Sequence, residues 1–221
     1  MDNLEAIGVK HGTDKTVAVG HGYLPDYEAL FGHRKNEVLT IVELGICRGR
    51  SLRMWKEYFR NSKIIGVDID ERCLRYKEDR IETLVSDLSK LEELEILKTK
   101  LLPGVDYLID DASHHVDDII LAHSCLWTLV NPGGAYIIED TSRAFLDVRE
   151  HPRRGDRFQG TKMIDYFGKL IAALNGDGRP NTHNYNRMKR EGYPYTDDWM
   201  RRIEEVSFRA EMIVIKYRGV L

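Results

Sequence analysis

The fold is decided by residues 38–49, which read Val-Leu-Thr-Ile-Val-Glu-Leu-Gly-Ile-Cys-Arg-Gly. The first seven residues are mostly apolar and β-branched, and a turn with glycines at Gly45 and Gly49 follows. This pattern is typical of a buried strand that ends in a glycine turn. Residues 51–59 then carry apolar side chains at helical spacing, and residues 64–70 form a second apolar run that ends in acid. The sequence therefore predicts a βαβ unit.

Strands and helices keep alternating after this unit. Three further strands are predicted at residues 81–85, 105–109 and 135–138, the last after the turn Asn131-Pro132-Gly133-Gly134. Helices are predicted at residues 88–100 and 117–130. Strands that alternate with helices at this spacing predict an α/β fold with a doubly wound, mostly parallel sheet.

The alternation stops after residue 142. Residues 143–156 have the composition of a loop, residues 162–174 predict an amphipathic helix, and residues 199–205 predict another. The strand-like runs 206–208 and 212–217 are close enough to pair as a C-terminal antiparallel hairpin. We expect one domain over residues 1–221, with a variable lid or substrate segment at about 143–200.

Composition narrows the classes of partner. The net charge is −3 over 221 residues, so no strong positive field favours a nucleic-acid partner. The first residues lack the pattern of a leader peptide, and no apolar run reaches bilayer length, so we expect a cytoplasmic protein without membrane contact.

The cysteines have no metal-site or disulfide spacing. We expect them in the core with three aromatic residues; the full set is Cys47, Cys73, Cys125, Tyr23, Tyr27 and Trp55.

Acidic clusters directly follow two of the predicted strands. Residues 110–114 read Asp-Asp-Ala-Ser-His, and Glu139-Asp140 follow the strand at 135–138. If these strands are parallel neighbours, their ends present three carboxylates and a histidine to one crevice. Carboxylates without clustered thiolates suit a hard cation such as Mg²⁺, and a histidine beside them suits a general base. A purely structural alternative is that Asp110 or Asp111 caps the next helix. His115 is expected to be an ordinary surface residue.

The turn after the first strand bears on the cofactor. The dinucleotide-binding motif G-x-G-x-x-G needs a glycine where this sequence has Cys47, and Glu43 would place negative charge beside a pyrophosphate. An acid at this position suits a sulfonium or ammonium group, as in S-adenosylmethionine. Glycines in such a turn also serve packing in many α/β proteins, so the turn alone does not decide the cofactor.

The next two strand ends add to this interpretation. Asp68 ends the second strand, where a carboxylate can accept hydrogen bonds from both ribose hydroxyls. Ser86 and Asp87 end the third strand, beside the expected position of the adenine. With these residues in place, binding of S-adenosylmethionine becomes the favoured reading of the turn.

These motifs carry a family resemblance. The turn at 43–49 with Asp68 and Asp87 resembles class I S-adenosylmethionine-dependent methyltransferases, whose sheet is Rossmann-like. The stretches 11–15, 110–114 and 132–141 are similar to the magnesium-dependent, mycinamicin-type sugar O-methyltransferases of macrolide biosynthesis. The likeness covers roughly residues 10 to 142.

The resemblance implies a role for each matching residue. It implies that the metal ligands are Asp111, Glu139 and Asp140, and that His114 is the base. It also implies a homo-oligomer. The residues expected at the cofactor, by resemblance or by position, are Thr13, Glu43, Gly45, Gly49, Asp68, Ser86, Asp87 and Asp111.

The resulting expectation is an enzyme. It would move a methyl group from S-adenosylmethionine, with Mg²⁺, to a hydroxyl of a sugar on a natural product of antibiotic biosynthesis. One alternative keeps the fold and metal but methylates a catechol-like small molecule. Another is a non-catalytic cofactor-binding accessory protein of antibiotic biosynthesis, whose acids are only structural.

Overall fold

The computed structural model describes residues 3–145, 160–175 and 202–218. The chain divides into two compact units, Met1–Asp87 and Leu88–Leu221. Each unit alternates strands with helices, as the sequence predicts.

The first unit contains three strands and three α-helices. They are α1 Leu4–His11, α2 Leu24–Phe31, β1 Thr40–Leu44, α3 Arg50–Tyr58, β2 Lys63–Asp68 and β3 Ile81–Val85. A 3₁₀ helix at Glu71–Tyr76 joins β2 to β3. The predicted βαβ unit is therefore confirmed, because β1, α3 and β2 lie where the hydrophobic runs place them.

The strands of the first unit are parallel. β1 pairs with β2, with Leu44 opposite Val67, and β2 pairs with β3, with Asp68 opposite Val85. Since parallel strands end at the same edge, this register brings the polar residues that follow β1, β2 and β3 to one edge of the unit.

Two helices precede the first strand, in a region where the sequence predicted no element. Asn3 caps α1 by accepting a hydrogen bond from the backbone N–H of Ala6 at 2.9 Å, and Gly12 ends the helix in the left-handed conformation. α1 contacts α2 and α3. An aromatic cluster fills the space between α2 and α3, with Tyr27 edge-on to Trp55 at a centroid distance of 5.1 Å. Both rings are buried, as predicted.

Within the described residues, the second unit contains four strands and three α-helices. They are α4 Leu91–Lys100, β4 Val105–Asp110, α5 Val116–Leu126, β5 Val130–Ile138, α6 Gly160–Asn175, β6 Ile203–Arg209 and β7 Met212–Tyr217. Short 3₁₀ helices cover Trp127–Leu129 and Thr141–Phe145. β4 and β5 are parallel, β5 pairs antiparallel with β7, and β6 pairs antiparallel with β7. The C-terminal hairpin is confirmed.

Two differences from the sequence prediction concern strands of the second unit. The turn residues 131–134 lie inside β5, where the pairing with β4 shifts between Val105 and Tyr107 to accommodate them. Residues 203–205 are strand and not helix, because they pair with β7. The order of apolar and charged residues here is also compatible with a helix. The pairing with the neighbouring strand decides the conformation.

The remaining sequence predictions have mixed outcomes. The helix at 162–174 is confirmed within α6. Cys73 and Cys125 are buried, but Cys47 is exposed in the turn after β1, so the core assignment was wrong for that residue. The predicted loop beyond residue 145 and most of the segment 143–200 lie outside the described residues. None of the helices in the described part of the chain has the length and apolar character needed to cross a membrane.

Candidate active site

The acidic strand ends of the second unit lie side by side. Asp110 at the end of β4 pairs with Ile138 at the end of β5, and the backbone N–H of Glu139 donates to the carbonyl of Asp110 at 2.9 Å. The prediction that these two strands are parallel neighbours is confirmed. The register brings the residues that follow them, Asp111 and Asp140, to the same edge.

Three polar side chains converge at this edge. Asp111, His114 and Asp140 each offer a ligand atom, and these atoms all lie within 4.8 Å of one another. Nε2 of His114 lies 3.4 Å from Oδ2 of Asp140, with side-chain exposures of 14% and 12%. We name this group the acid–histidine cluster. Its two carboxylates and partial burial give it the chemistry of a cation site with a proton acceptor alongside.

The backbone at both strand ends adopts an uncommon conformation. His114 has a φ of 59° and Asp140 a φ of 54°. Left-handed residues other than glycine are uncommon, although Asp and His tolerate the region better than most, and they concentrate at functional sites. The two conformations support a functional interpretation of the acid–histidine cluster.

The acid–histidine cluster contains three of the four residues that the resemblance assigns to the metal and the base. It brings together two predicted ligands, Asp111 and Asp140, with the predicted base, His114. Glu139, the third predicted ligand, is 1% exposed. Among the described residues, its carboxylate is not a member of the acid–histidine cluster.

Asp110 precedes the cluster residue Asp111 and is buried. Its carboxylate is buried, which raises its pKa to about 7, and it accepts hydrogen bonds from the backbone N–H of Ala112 and from the hydroxyl of Tyr136 at 3.4 and 3.5 Å. The N-cap of α5 is His115, whose own side chain makes no capping hydrogen bond and whose backbone N–H donates to Oγ of Ser113 at 3.2 Å. The alternative that Asp110 or Asp111 caps this helix is therefore wrong, while His115 is exposed as expected.

Sequence reasoning missed an acid close to Asp140. Glu211, in the turn between β6 and β7, has a carboxylate oxygen within 4.8 Å of one from Asp140. Its carbonyl accepts a hydrogen bond from the backbone N–H of Thr141 at 3.1 Å. Only the antiparallel pairing of β5 with β7 reveals this proximity, because a single acid in a hairpin turn carries no signal in the sequence.

In the first unit, Asp68 organises the glycine turn. Its Oδ2 accepts hydrogen bonds from the backbone N–H groups of Ile46 and Cys47 at 2.8 and 3.2 Å, and its Oδ1 accepts one from Asp70 at 3.0 Å. The left-handed Gly49 lies against Tyr76, where an added Cβ would come within 2.8 Å of the ring. The predicted cofactor residue Asp68 thus has a structural role in shaping the turn.

Other predicted cofactor residues lie near the strand ends of the same unit. Ser86 is buried and donates its backbone N–H to the carbonyl of Asp68 at 3.0 Å, and Asp87 follows it, half-buried. Thr13 is buried, and its Oγ1 accepts the backbone N–H of Lys15 at 3.4 Å.

Glu43 does not present an open negative charge. Its side chain is fully buried, with Oε1 3.4 Å from Nζ of Lys15 and Oε2 2.7 Å from the donating hydroxyl of Ser51. Lys15 supplies a cation to this acid from within the unit, a contact that the sequence prediction for Glu43 did not include. A lysine twenty-eight residues upstream gave no local hint of this pairing.

Comparisons with known proteins agree with this architecture. No protein-family model matches the chain. A tetracenomycin rhamnosyl 2'-O-methyltransferase from Streptomyces olivaceus is 36% identical over 152 residues, covering 66% of this chain and 39% of that protein. The mycinamicin VI 2''-O-methyltransferase from Micromonospora griseorubida is 33% identical over 132 residues, covering 57% of this chain and 33% of that protein.

A solved structure extends the likeness to the whole chain. The methyltransferase MycE from the mycinamycin biosynthetic pathway, in complex with Mg and SAH, superposes with a TM-score of 0.80. The sequences are 24% identical, and the match covers 99% of this chain and 55% of that chain. The chain has a Rossmann-like methyltransferase fold.

The methyltransferase fold confirms the predicted fold class, and the sequence resemblance to sugar O-methyltransferases is also confirmed. The chain spans about two fifths or less of the length of the curated relatives described here. The activity, acceptor and partners of the whole protein are therefore matters for proposal.

Proposed function

We propose that this chain is a metal-dependent O-methyltransferase. It would move a methyl group from S-adenosylmethionine to a hydroxyl of a sugar on a natural product of antibiotic biosynthesis. The observation that supports this most is the acid–histidine cluster at the ends of β4 and β5. It occurs in a chain that is similar to sugar O-methyltransferases of tetracenomycin and mycinamicin pathways.

The donor atoms fit a divalent cation. Asp111 and Asp140 would hold it through carboxylate oxygens, which suit Mg²⁺, and Glu139 remains the third proposed ligand. When bound, such a cation orients an acceptor hydroxyl and lowers its pKa. His114 is assigned to proton transfer and not to ligation, because an imidazole nitrogen is a less favoured donor for Mg²⁺ than oxygen is.

His114 supplies the base. With the methyl donor bound, the acceptor oxygen would attack the methyl carbon of the sulfonium, and the carbon–sulfur bond would break with its electron pair returning to sulfur to give the neutral thioether, S-adenosylhomocysteine. The hydroxyl proton passes to His114, whose Nε2 faces the cluster. The nearby Asp140 carboxylate stabilises the imidazolium that forms.

The first unit would hold the methyl donor. We assign the glycine turn between Gly45 and Gly49, with Asp68, Ser86 and Asp87 at the next strand ends, to this role. Thr13 and Glu43 are also assigned to the donor site, as residues buried in the first unit. The parallel register of β1, β2 and β3, which ends all three strands at one edge, supports this assignment.

Three broader features are also part of the proposal. We propose that the protein is cytoplasmic, which its three free cysteines support, and that it is a homo-oligomer, which the resemblance implies. We further propose that residues 1–221 form one methyltransferase domain, in which residues 143–200 contact the acceptor. The break in strand–helix alternation at residue 142 supports the last point.

The test is methyl transfer itself. Purified protein is incubated with S-adenosylmethionine, Mg²⁺ and a panel of glycosylated polyketides, and products are detected by mass spectrometry. We expect a singly methylated sugar, and no product in excess chelator. Methylation of catechol but of no glycoside would favour the small-molecule alternative. Absence of methylation, with no binding of S-adenosylmethionine, would contradict the proposed activity.

A further inference from the structure

A buried ion pair ties the N-terminal loop, defined as residues 14–23, to the end of β1. Nζ of Lys15 lies 3.4 Å from Oε1 of Glu43, and both side chains are almost completely removed from solvent. Ser51, in the first turn of α3, donates its hydroxyl to the other carboxylate oxygen at 2.7 Å. The charges of the pair therefore compensate each other within the first unit.

The residue that pairs with Glu43 also closes the loop. The carbonyl of Lys15 accepts hydrogen bonds from the backbone N–H groups of Tyr23 and Leu24, at 2.9 and 3.2 Å. Gly20 passes so close to the backbone of Asp14 that an added Cβ would lie 1.6 Å from its carbonyl oxygen. The loop is thus a tightly closed structure whose anchoring side chain reaches the first strand.

This arrangement changes the role of Glu43. Burying a carboxylate without a partner is costly, and one that is paired and hydrogen-bonded contributes little net charge to its surroundings. A counter-ion for a sulfonium would need to keep its negative charge available to the ligand. The geometry favours a carboxylate that holds the loop in place over one that attracts the cofactor's positive charge.

We infer that Lys15 is a positioning residue: with Glu43 it forms a neutral pair that holds the N-terminal loop against the glycine turn of the donor site. This inference rests on the proposed function, since it assigns that turn to S-adenosylmethionine. The pair supports the positively charged donor and the neutral product, S-adenosylhomocysteine, to the same extent.

A double variant separates the two roles. Lys15→Met combined with Glu43→Gln removes both charges and leaves the net charge unchanged. Calorimetry with S-adenosylmethionine and S-adenosylhomocysteine should show both dissociation constants raised about tenfold, with their ratio kept within about threefold of wild type. Selective loss of S-adenosylmethionine by about tenfold or more would instead make Glu43 the sulfonium counter-ion. Unchanged affinities for both ligands would remove the pair from the donor site.

The single variants test the pairing. Lys15→Met and Glu43→Gln each leave one buried charge without its partner, so each should lower the melting temperature more than the double variant does. Additive effects would contradict a coupled pair. The exposed pair of Lys63 and Glu82, 2.9 Å apart, provides the matched control, and its double replacement by Met and Gln should change neither affinity nor melting temperature appreciably.

Hydrogen exchange tests the loop without any ligand. The amides of Tyr23 and Leu24 should exchange faster in the Lys15→Met, Glu43→Gln double variant than in wild type and in the Lys63 and Glu82 control. Unchanged exchange would overturn the positioning role. If wild type bound neither ligand, the proposed function would fail, while the exchange result would still decide whether the pair anchors the loop.

Discussion

His114 and Asp140 face each other from the ends of two neighbouring parallel strands, with Nε2 of the imidazole 3.4 Å from Oδ2 of the carboxylate. Both residues adopt a left-handed backbone conformation, His114 in the turn that leaves β4 and Asp140 in the turn that leaves β5. These turns direct both side chains to the place where Asp111 also contributes a carboxylate oxygen. The second unit therefore has a histidine and two carboxylates close together at the ends of β4 and β5. The proposed proton transfer and cation binding depend on this arrangement.

Replacing His114 should slow methyl transfer without abolishing metal binding. We expect a loss of roughly 10²- to 10⁴-fold in rate for His114→Ala, the usual contribution of a general base. His114→Asn separates chemistry from backbone strain, because Asn tolerates the left-handed conformation. His115→Ala is the matched control and should retain a rate close to wild type. A His114→Asn rate within a few-fold of wild type would remove this residue from catalysis.

Replacing Asp111 should affect the metal and spare the donor. Asp111→Asn removes one carboxylate charge from the acid–histidine cluster, so the Mg²⁺ concentration for half-maximal methyl transfer should rise at least about tenfold. The affinity for S-adenosylmethionine should change little. Asp165→Asn, on the exposed surface of α6, is the control. An unchanged Mg²⁺ requirement in Asp111→Asn would exclude Asp111 as a ligand.

Acid stability should depend on His123. Burial lowers the pKa of this histidine to about 3, whereas an exposed histidine titrates near 6.5. Below about pH 6.5 the unfolded chain takes up a proton that the folded chain does not, so the free energy of unfolding falls as pH decreases toward 3. One such proton contributes a slope of up to about 1.4 kcal/mol per pH unit.

Denaturant melts between pH 6 and pH 4 check this expectation. His123→Gln should flatten the decline by close to the slope of one proton, even if its overall stability is lower, because the hydrogen bond with Tyr166 is altered. His33→Gln replaces an exposed histidine and should leave the slope unchanged. Parallel pH profiles for wild type and His123→Gln would contradict a neutral, buried His123.

The N-terminal loop should tolerate no side chain at Gly20. The Cβ of Gly20→Ala would collide with the backbone of Asp14, so we expect a loss of about 1–3 kcal/mol in the free energy of unfolding. Gly168→Ala is the matched control, because a Cβ there meets nothing within 4 Å and the position is inside α6. It should stabilise the protein by about 0.5–1 kcal/mol. Equal effects of the two substitutions would show that the loop rearranges freely.

Much of the fold could be predicted because β1, β2 and β4 are almost completely buried and stand out as apolar runs. β3 begins and ends at the predicted residues, and β4 differs by one residue. Residues 203–205 were wrongly predicted as helix, since their pattern fits either structure and the pairing with β7 decides between them. The N-terminal helices lacked such a signal because their apolar faces are defined by contacts with α3.

The functional residues also differ in whether the sequence alone could predict them. Asp111 and Asp140 could be predicted because each lies in an acidic pair at the end of a strand, and parallel strands end together. The contacts of Lys15 with Glu43 and of Glu211 with Asp140 could not, because each depends on packing between residues that are distant in the sequence. For Glu43, the position at the strand end was predicted correctly, but its buried partner changed the meaning of the charge.

The proposed cation site at the ends of β4 and β5 is tested most directly by calorimetric titration of Mg²⁺ into the protein saturated with S-adenosylhomocysteine. The titration compares wild type with Asp140→Asn. We expect one saturable site in wild type, with an affinity at least about tenfold weaker in the variant because a ligand charge is lost. No saturable binding in wild type, or equal binding in the variant, would contradict a catalytic cation site at the ends of β4 and β5.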